Sequence, residues 1–144
     1  MQEDPINDQA AFRSKPVAGL LALVAGVLGA HRLYLGSRLW WVYPVLALPS
    51  LGLALQAQEW FRHPAIVLCT LVALVGFGEA IRFSLTPDER WDEARNAGLA
   101  RRSENRWAPV FVAIAALVVG AILMMSVMAI SLETLYTARR AAAG

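Results

Sequence analysis

Hydrophobic and polar positions along this chain fall into long blocks and do not interleave. Four stretches carry no Asp, Glu, Lys or Arg: 16–31, 39–58, 63–78 and 107–132. A soluble helical domain keeps a polar face at a period of 3.6 residues, and these blocks have none, so they predict helices that meet lipid. At 1.5 Å per residue, roughly 20 residues cross a hydrocarbon layer of about 30 Å. The second block reaches that length and the fourth exceeds it. The first and third, 16 residues each, reach it with help from flanking basic side chains such as Arg13, Lys15 and Arg32, which can snorkel to the surface. The pattern predicts an all-α, polytopic helical membrane protein with four transmembrane helices. Its parts are an N-terminal tail (1–15), a region of about three spans (16–83), a polar loop (84–106), a fourth span (107–136) and a short tail (137–144). Trp40, Trp41 and Tyr43, then Trp60 and Phe61, then Trp107 mark the block edges, where interfacial aromatic belts belong.

The polar loop opens Thr86-Pro87-Asp88-Glu89. Thr86 as cap, Pro87 at the first helical position and Glu89 three residues after the cap predict a short helix over about 87–97, stopped by Gly98. Trp91, Ala94 and Ala97 give it a thin apolar stripe suited to the headgroup level, with Arg90, Arg95, Arg101 and Arg102 available to anionic lipid. A plain solvated connecting helix fits equally. In the first block, Ala18, Ala22, Gly26 and Ala30 recur every four residues, a spacing that lets helices approach closely, within this chain or between copies. Ala116 and Gly120 repeat the device beside Met124, Met125 and Met128, a stripe read as adaptable packing.

Composition sharpens this picture. The chain is 58% hydrophobic and 17% charged, with net charge +2. Its 13 Lys and Arg residues sit mostly beside apolar blocks, which assigns them to membrane orientation and excludes a nucleic-acid role. With four spans, a cytoplasmic N-terminus leaves Arg13, Lys15, Arg62, Arg139 and Arg140 inside. The opposite orientation leaves Arg32, Arg38, Arg82, Arg90, Arg95, Arg101, Arg102 and Arg106 inside. The second wins on basic charge, so loops 31–38 and 83–106 are expected in the cytoplasm of a bacterial inner membrane and both termini outside. Met1 to Asp8 is acidic and lacks the basic start of a signal peptide, so the first block is expected to be retained.

Candidate chemistry is sparse. Cys69 is the single cysteine, so neither an internal disulfide nor a thiolate metal site is expected. On a four-span path His31 and His63 lie on opposite faces and cannot share a haem or zinc. No phosphate loop and no H-E-x-x-H is present. The expectation is a protein that is not an enzyme and uses no cofactor or metal. A channel or transporter is the competing class, on the strength of Pro44 and Pro49 in the second block, where a broken helix would line a path. Against it, no ionisable residue sits mid-span.

The first loop, Gly29-Ala30-His31-Arg32-Leu33-Tyr34-Leu35-Gly36, resembles the signature of the TM-two domain family, close to G-x-H-R-F-Y-L-G or G-x-D-R-F-Y-L-G. Gly29, His31, Arg32, Tyr34 and Gly36 carry the match, and Glu79 stands for the acidic residue the family places late in its second stretch. Leu33 departs from the usual Phe. The distance from Gly36 to Glu79 exceeds one span, which implies an extra crossing, and the fourth block lies outside the resemblance. The resemblance implies helical hairpins with the loop on the cytoplasmic side, and no particular chemistry.

Independently of any family, an interfacial carboxylate needs a cation. Two arrangements are open: a cluster of His31, Arg32 and Glu79 between helices, or a local Glu79–Arg82 pair three residues apart on one helix. The sequence thus points to a non-enzymatic accessory, scaffold or assembly component. Its expected partners are the lipid bilayer and a membrane protein or further copies of itself. The alternative is a small oligomeric channel or transporter.

Overall fold

The structure is a computed structural model that describes residues 12–104 and 107–143. Arg106 and the N-terminal stretch Met1 to Asp8 lie outside the described residues. Every regular element among the described residues is helical: α1 (Lys15–Ala25), continued by a 3₁₀ turn Gly26–Leu28, α2 (Ala30–Tyr34), α3 (Val42–Leu55), a 3₁₀ turn Trp60–Arg62, α4 (Pro64–Leu85), α5 (Asp88–Arg95) and α6 (Ala108–Ala143).

Two helices are long and apolar enough to cross a membrane. α4, with 22 residues, is about 33 Å long, and α6, with 36 residues, about 54 Å. They pack antiparallel: Gly120 faces Phe77, Val112 lies near Gly19 and Ser84, and Arg62, just ahead of α4, meets Glu133 at 2.7 Å. α6 stays helical through Ala143, so the tail expected from 137 onward belongs to the helix. His63 caps α4: its Nδ1 accepts the amide of Ala65 at 3.2 Å, ahead of Pro64 at the first position.

The first two apolar blocks do not form full spans. α1 with its 3₁₀ turn runs 14 residues, Lys15–Leu28, and α3 runs 14, Val42–Leu55. Each is about 21 Å long, short of the hydrocarbon layer. They lie end to end along α4. Lys15 reaches the end of α4 at Thr86 and Gly26 packs on Gly76, while Tyr43 and Ala47 of α3 pack on Val72 further down. Pro49 stands inside α3 without breaking it; lacking an amide, it frees one carbonyl, and Ser50 donates to the carbonyl of Leu46 one turn back.

Between α1 and α3 the chain turns at Gly29 with a left-handed φ of 67°. A Cβ there would stand 2.4 Å from the Trp40 carbonyl oxygen, so residues 30–39 form a loop whose ends touch. The loop climbs back along α1, since the Tyr34 hydroxyl accepts the amide of Ser14 at 2.8 Å. The four-span path is not confirmed: the chain reverses at the end of the first block, and Arg13 to Lys15 lie at the same end of the molecule as the polar loop. The described chain therefore begins at one end of α4 and finishes at the other.

Small residues do close the helices up. Ala18 and Ala22 are fully buried, Gly26 touches Gly76, and Ala30, beyond the turn, is half-buried. The stripe packs within the chain, on α4. Ala116 and Gly120 of α6 are buried on the same helix, whereas Met124, Met125 and Met128 face outward.

Candidate functional site

Two polar networks hold the molecule together, one at the level of the apolar helices and one beyond their end. The first gathers on Glu79. Its Oε2 accepts from His31 Nε2, from Arg32 Nε at 3.3 Å and from the Tyr43 hydroxyl at 3.0 Å, and its Oε1 accepts from Arg32 Nη2. Three segments are tied by one carboxylate: the loop, α3 and α4. Arg32 engages both oxygens side-on, the geometry that suits guanidinium to carboxylate, and its guanidinium lies 5.5 Å over the Tyr43 ring. His31 is fully buried, with its ring edge-on to Tyr43 at 5.2 Å. Its Nε2 is the donor, because the carboxylate only accepts; Nδ1 has no partner among the described residues.

Of the two arrangements open in the sequence, the structure thus has the inter-helix one. Arg82 makes no ion pair among the described residues. Tyr43, placed by the sequence in an interfacial belt, is buried as the fourth member. Tyr34 joins the other network through Ser14, and Gly36 takes the left-handed φ of 73° that turns the chain out of α2.

The second network is a cap built from Arg13–Lys15, α5 and Ser103. Asp92, 3% exposed, accepts the Ser103 amide at 2.7 Å, the Ser103 hydroxyl at 2.6 Å and the Asn96 side-chain amide at 2.7 Å. Asn96 in turn accepts the Arg13 amide at 2.7 Å. Burial raises the Asp92 pKa, but the Ser103 and Asn96 bonds outweigh it and hold the carboxyl below its usual range. Lys15 is buried and not snorkelling: its Nζ donates to the Thr86 carbonyl at 2.9 Å and pairs with Asp88.

The short helix expected over 87–97 is α5, but its capping differs. Thr86 closes α4, donating its hydroxyl to the Arg82 carbonyl at 2.7 Å, and so does not cap α5. Trp91 is not on a lipid-facing stripe either. It is 3% exposed, packs edge-on to Phe83 at 5.7 Å and donates Nε1 to the Arg13 carbonyl at 2.7 Å. Ala94 and Ala97 are exposed, as are Arg90, Arg95, Arg101 and Arg102, with Arg101 stacked 4.3 Å over Phe12. No motif announces Asp92 or Ser103; the spacing of Asp92 and Asn96, four apart on a predicted helix, is the one available signal.

Together these features define an all-helical membrane protein whose loop, α3 and long α4 are locked by a single carboxylate. Residues 11–55 match the family model TM2 domain, which covers the loop signature, α1, α2 and α3. The match ends with α3, so α4 to α6 lie outside it. No match to a curated protein or a solved structure was found.

Proposed function

We propose that the protein is a non-enzymatic integral membrane component that acts as an accessory or scaffold element and presents its polar cap to the cytoplasm. The observation that carries this reading is how the convergent acid and base groups are used. Glu79, His31, Arg32 and Tyr43 are spent on one another, as are Asp92 with Asn96 and Ser103, and Lys15 with Asp88. These groups join segments and leave a scaffold.

In place of four spans, the proposed path has three crossings: α1 and α3 together as one interrupted traverse, then α4, then α6. Basic charge supports it. Arg13, Lys15, Arg32, Arg38, Arg82, Arg90, Arg95, Arg101 and Arg102 fall on the cap side, against Arg62, Arg139 and Arg140 on the other. Nine against three is a stronger positive-inside bias than a four-span path allows. The N-terminus is then cytoplasmic and the C-terminus external.

Single cysteines test the path, placed at Phe12, Ser37 and Ala142 in a Cys69→Ala background and probed with a membrane-impermeant maleimide. Phe12→Cys and Ser37→Cys should label only after permeabilisation, and Ala142→Cys in intact cells. Co-labelling of positions 12 and 142 overturns it. Purification in mild detergent tests the role: a co-purifying membrane complex supports it, and a discrete homo-oligomer that conducts ions in liposomes supports a channel instead.

A further inference from the structure

One stripe of α4 runs from apolar to basic. Val72, Val75, Glu79 and Arg82 recur at three- and four-residue spacing and so share a face. Along that stripe two open concavities adjoin, with Arg32 in the wall of both. The deeper one, about 260 Å³, lies between α3 and α4 and is lined by Val42, Leu46, Val72 and Val75. The outer one, about 340 Å³, is walled by Arg32 and Ser37 of the loop, Arg82 and Phe83 of the last turn of α4, and Arg95 of the last turn of α5.

The outer concavity is a notch in an apolar surface. Glu79, at its floor, is six residues short of the end of α4, about 9 Å along the helix. At the level of this last part of α4, other faces of the molecule expose Val17 and Leu20 of α1 and Phe111 of α6. Arg32 is already engaged by Glu79, while Arg82 and Arg95 have no carboxylate partner among the described residues. Two uncommitted guanidinium groups thus face an open polar space directly above an apolar groove.

We infer that this composite groove binds one anionic phospholipid, with the phosphate held by Arg82 and Arg95 and an acyl chain along Leu46, Val72 and Val75. A guanidinium offers paired donors suited to a phosphate diester. The apolar half selects a lipid over a soluble phosphate. The inference rests on the membrane reading above only in placing the end of α4 at headgroup depth.

The test uses the full chain in a neutral detergent, titrated with short-chain phosphatidylglycerol, phosphatidylcholine or inorganic phosphate and read by native mass spectrometry. Phosphatidylglycerol should bind about tenfold tighter than phosphatidylcholine, and R82Q/R95Q should remove that preference while leaving the lipid-free melting temperature unchanged. Leu46→Trp, which fills the deeper half, should weaken lipid binding with both arginines intact. Equal affinity for the two lipids, or an R82Q/R95Q protein that keeps the preference, overturns the proposal. So does inorganic phosphate displacing the lipid at comparable concentration, which would make the ligand a soluble anion. Because affinity in detergent does not depend on which way the cap faces, this result and the cysteine-labelling result fail independently.

Discussion

The two polar networks invite comparison, because they use similar groups in different surroundings. Around Glu79 a carboxylate holds a histidine, an arginine and a tyrosine from three segments at the level of lipid-facing helices. Around Asp92 a carboxylate holds a serine and an asparagine on the cap, with the exposed polar residues of α5 nearby. The donors in the cap are buried, but they lie beyond the apolar helices, where a small rearrangement admits water to one that loses its partner. One that loses its partner beside Glu79 has little water to turn to, so the inner network should carry the larger energetic weight.

The sharpest way to break the comparison is Glu79→Ala, which leaves Arg32 and the fully buried His31 without their acceptor. A loss of about 3 kcal/mol is expected in detergent unfolding, with Glu79→Gln costing less, since an amide oxygen still accepts. An unchanged melting temperature for Glu79→Ala would mean that the inner network carries no weight. Next comes Gly29→Ala, which forces a side chain into a left-handed conformation and against the Trp40 carbonyl; about 2 kcal/mol is expected.

Asp92→Asn should cost about 1 kcal/mol and also remove a pH dependence. The native Asp92 carboxyl titrates below its usual range, so its contribution is complete above the unfolded pKa of about 4 and is lost as pH falls through the lowered native value. Amide hydrogen-exchange protection over residues 92–104, corrected for the intrinsic pH dependence of exchange, should therefore fall in acid in the native protein, and show no such step in Asp92→Asn. The smallest effect is expected from Glu133→Gln. It removes an exposed pair with Arg62 and should shift stability by less than about 0.5 kcal/mol.

Much of the helical content was legible in the four charge-free blocks, because exclusion of charge is a property of the sequence alone. The meeting of Glu79 with the loop was legible too, since a carboxylate within one turn of an apolar block needs a cation. The path was not. Counting uncharged residues treated 39–58 as one helix, but only 42–55 is helical, and the turn at Gly29 depends on a contact with Trp40 that no local pattern announces. The buried Lys15 misled for a similar reason: its partners, Thr86 and Asp88, are 71 and 73 residues away.

The shortness of α1 and α3 also bears on the order of events at the ribosome. His31 and Arg32 are synthesised 48 and 47 residues before Glu79, so the loop's cation emerges before its counter-charge exists. Neither helix is long enough to be held in a bilayer by its own apolar length. On the proposed three-crossing path, the first half of the protein would wait, shallowly placed, until α4 arrives to give both helices a wall and the loop an anchor. A chain ended at Glu59 should be stripped from membranes by alkaline carbonate, while one ended after Arg106 should stay.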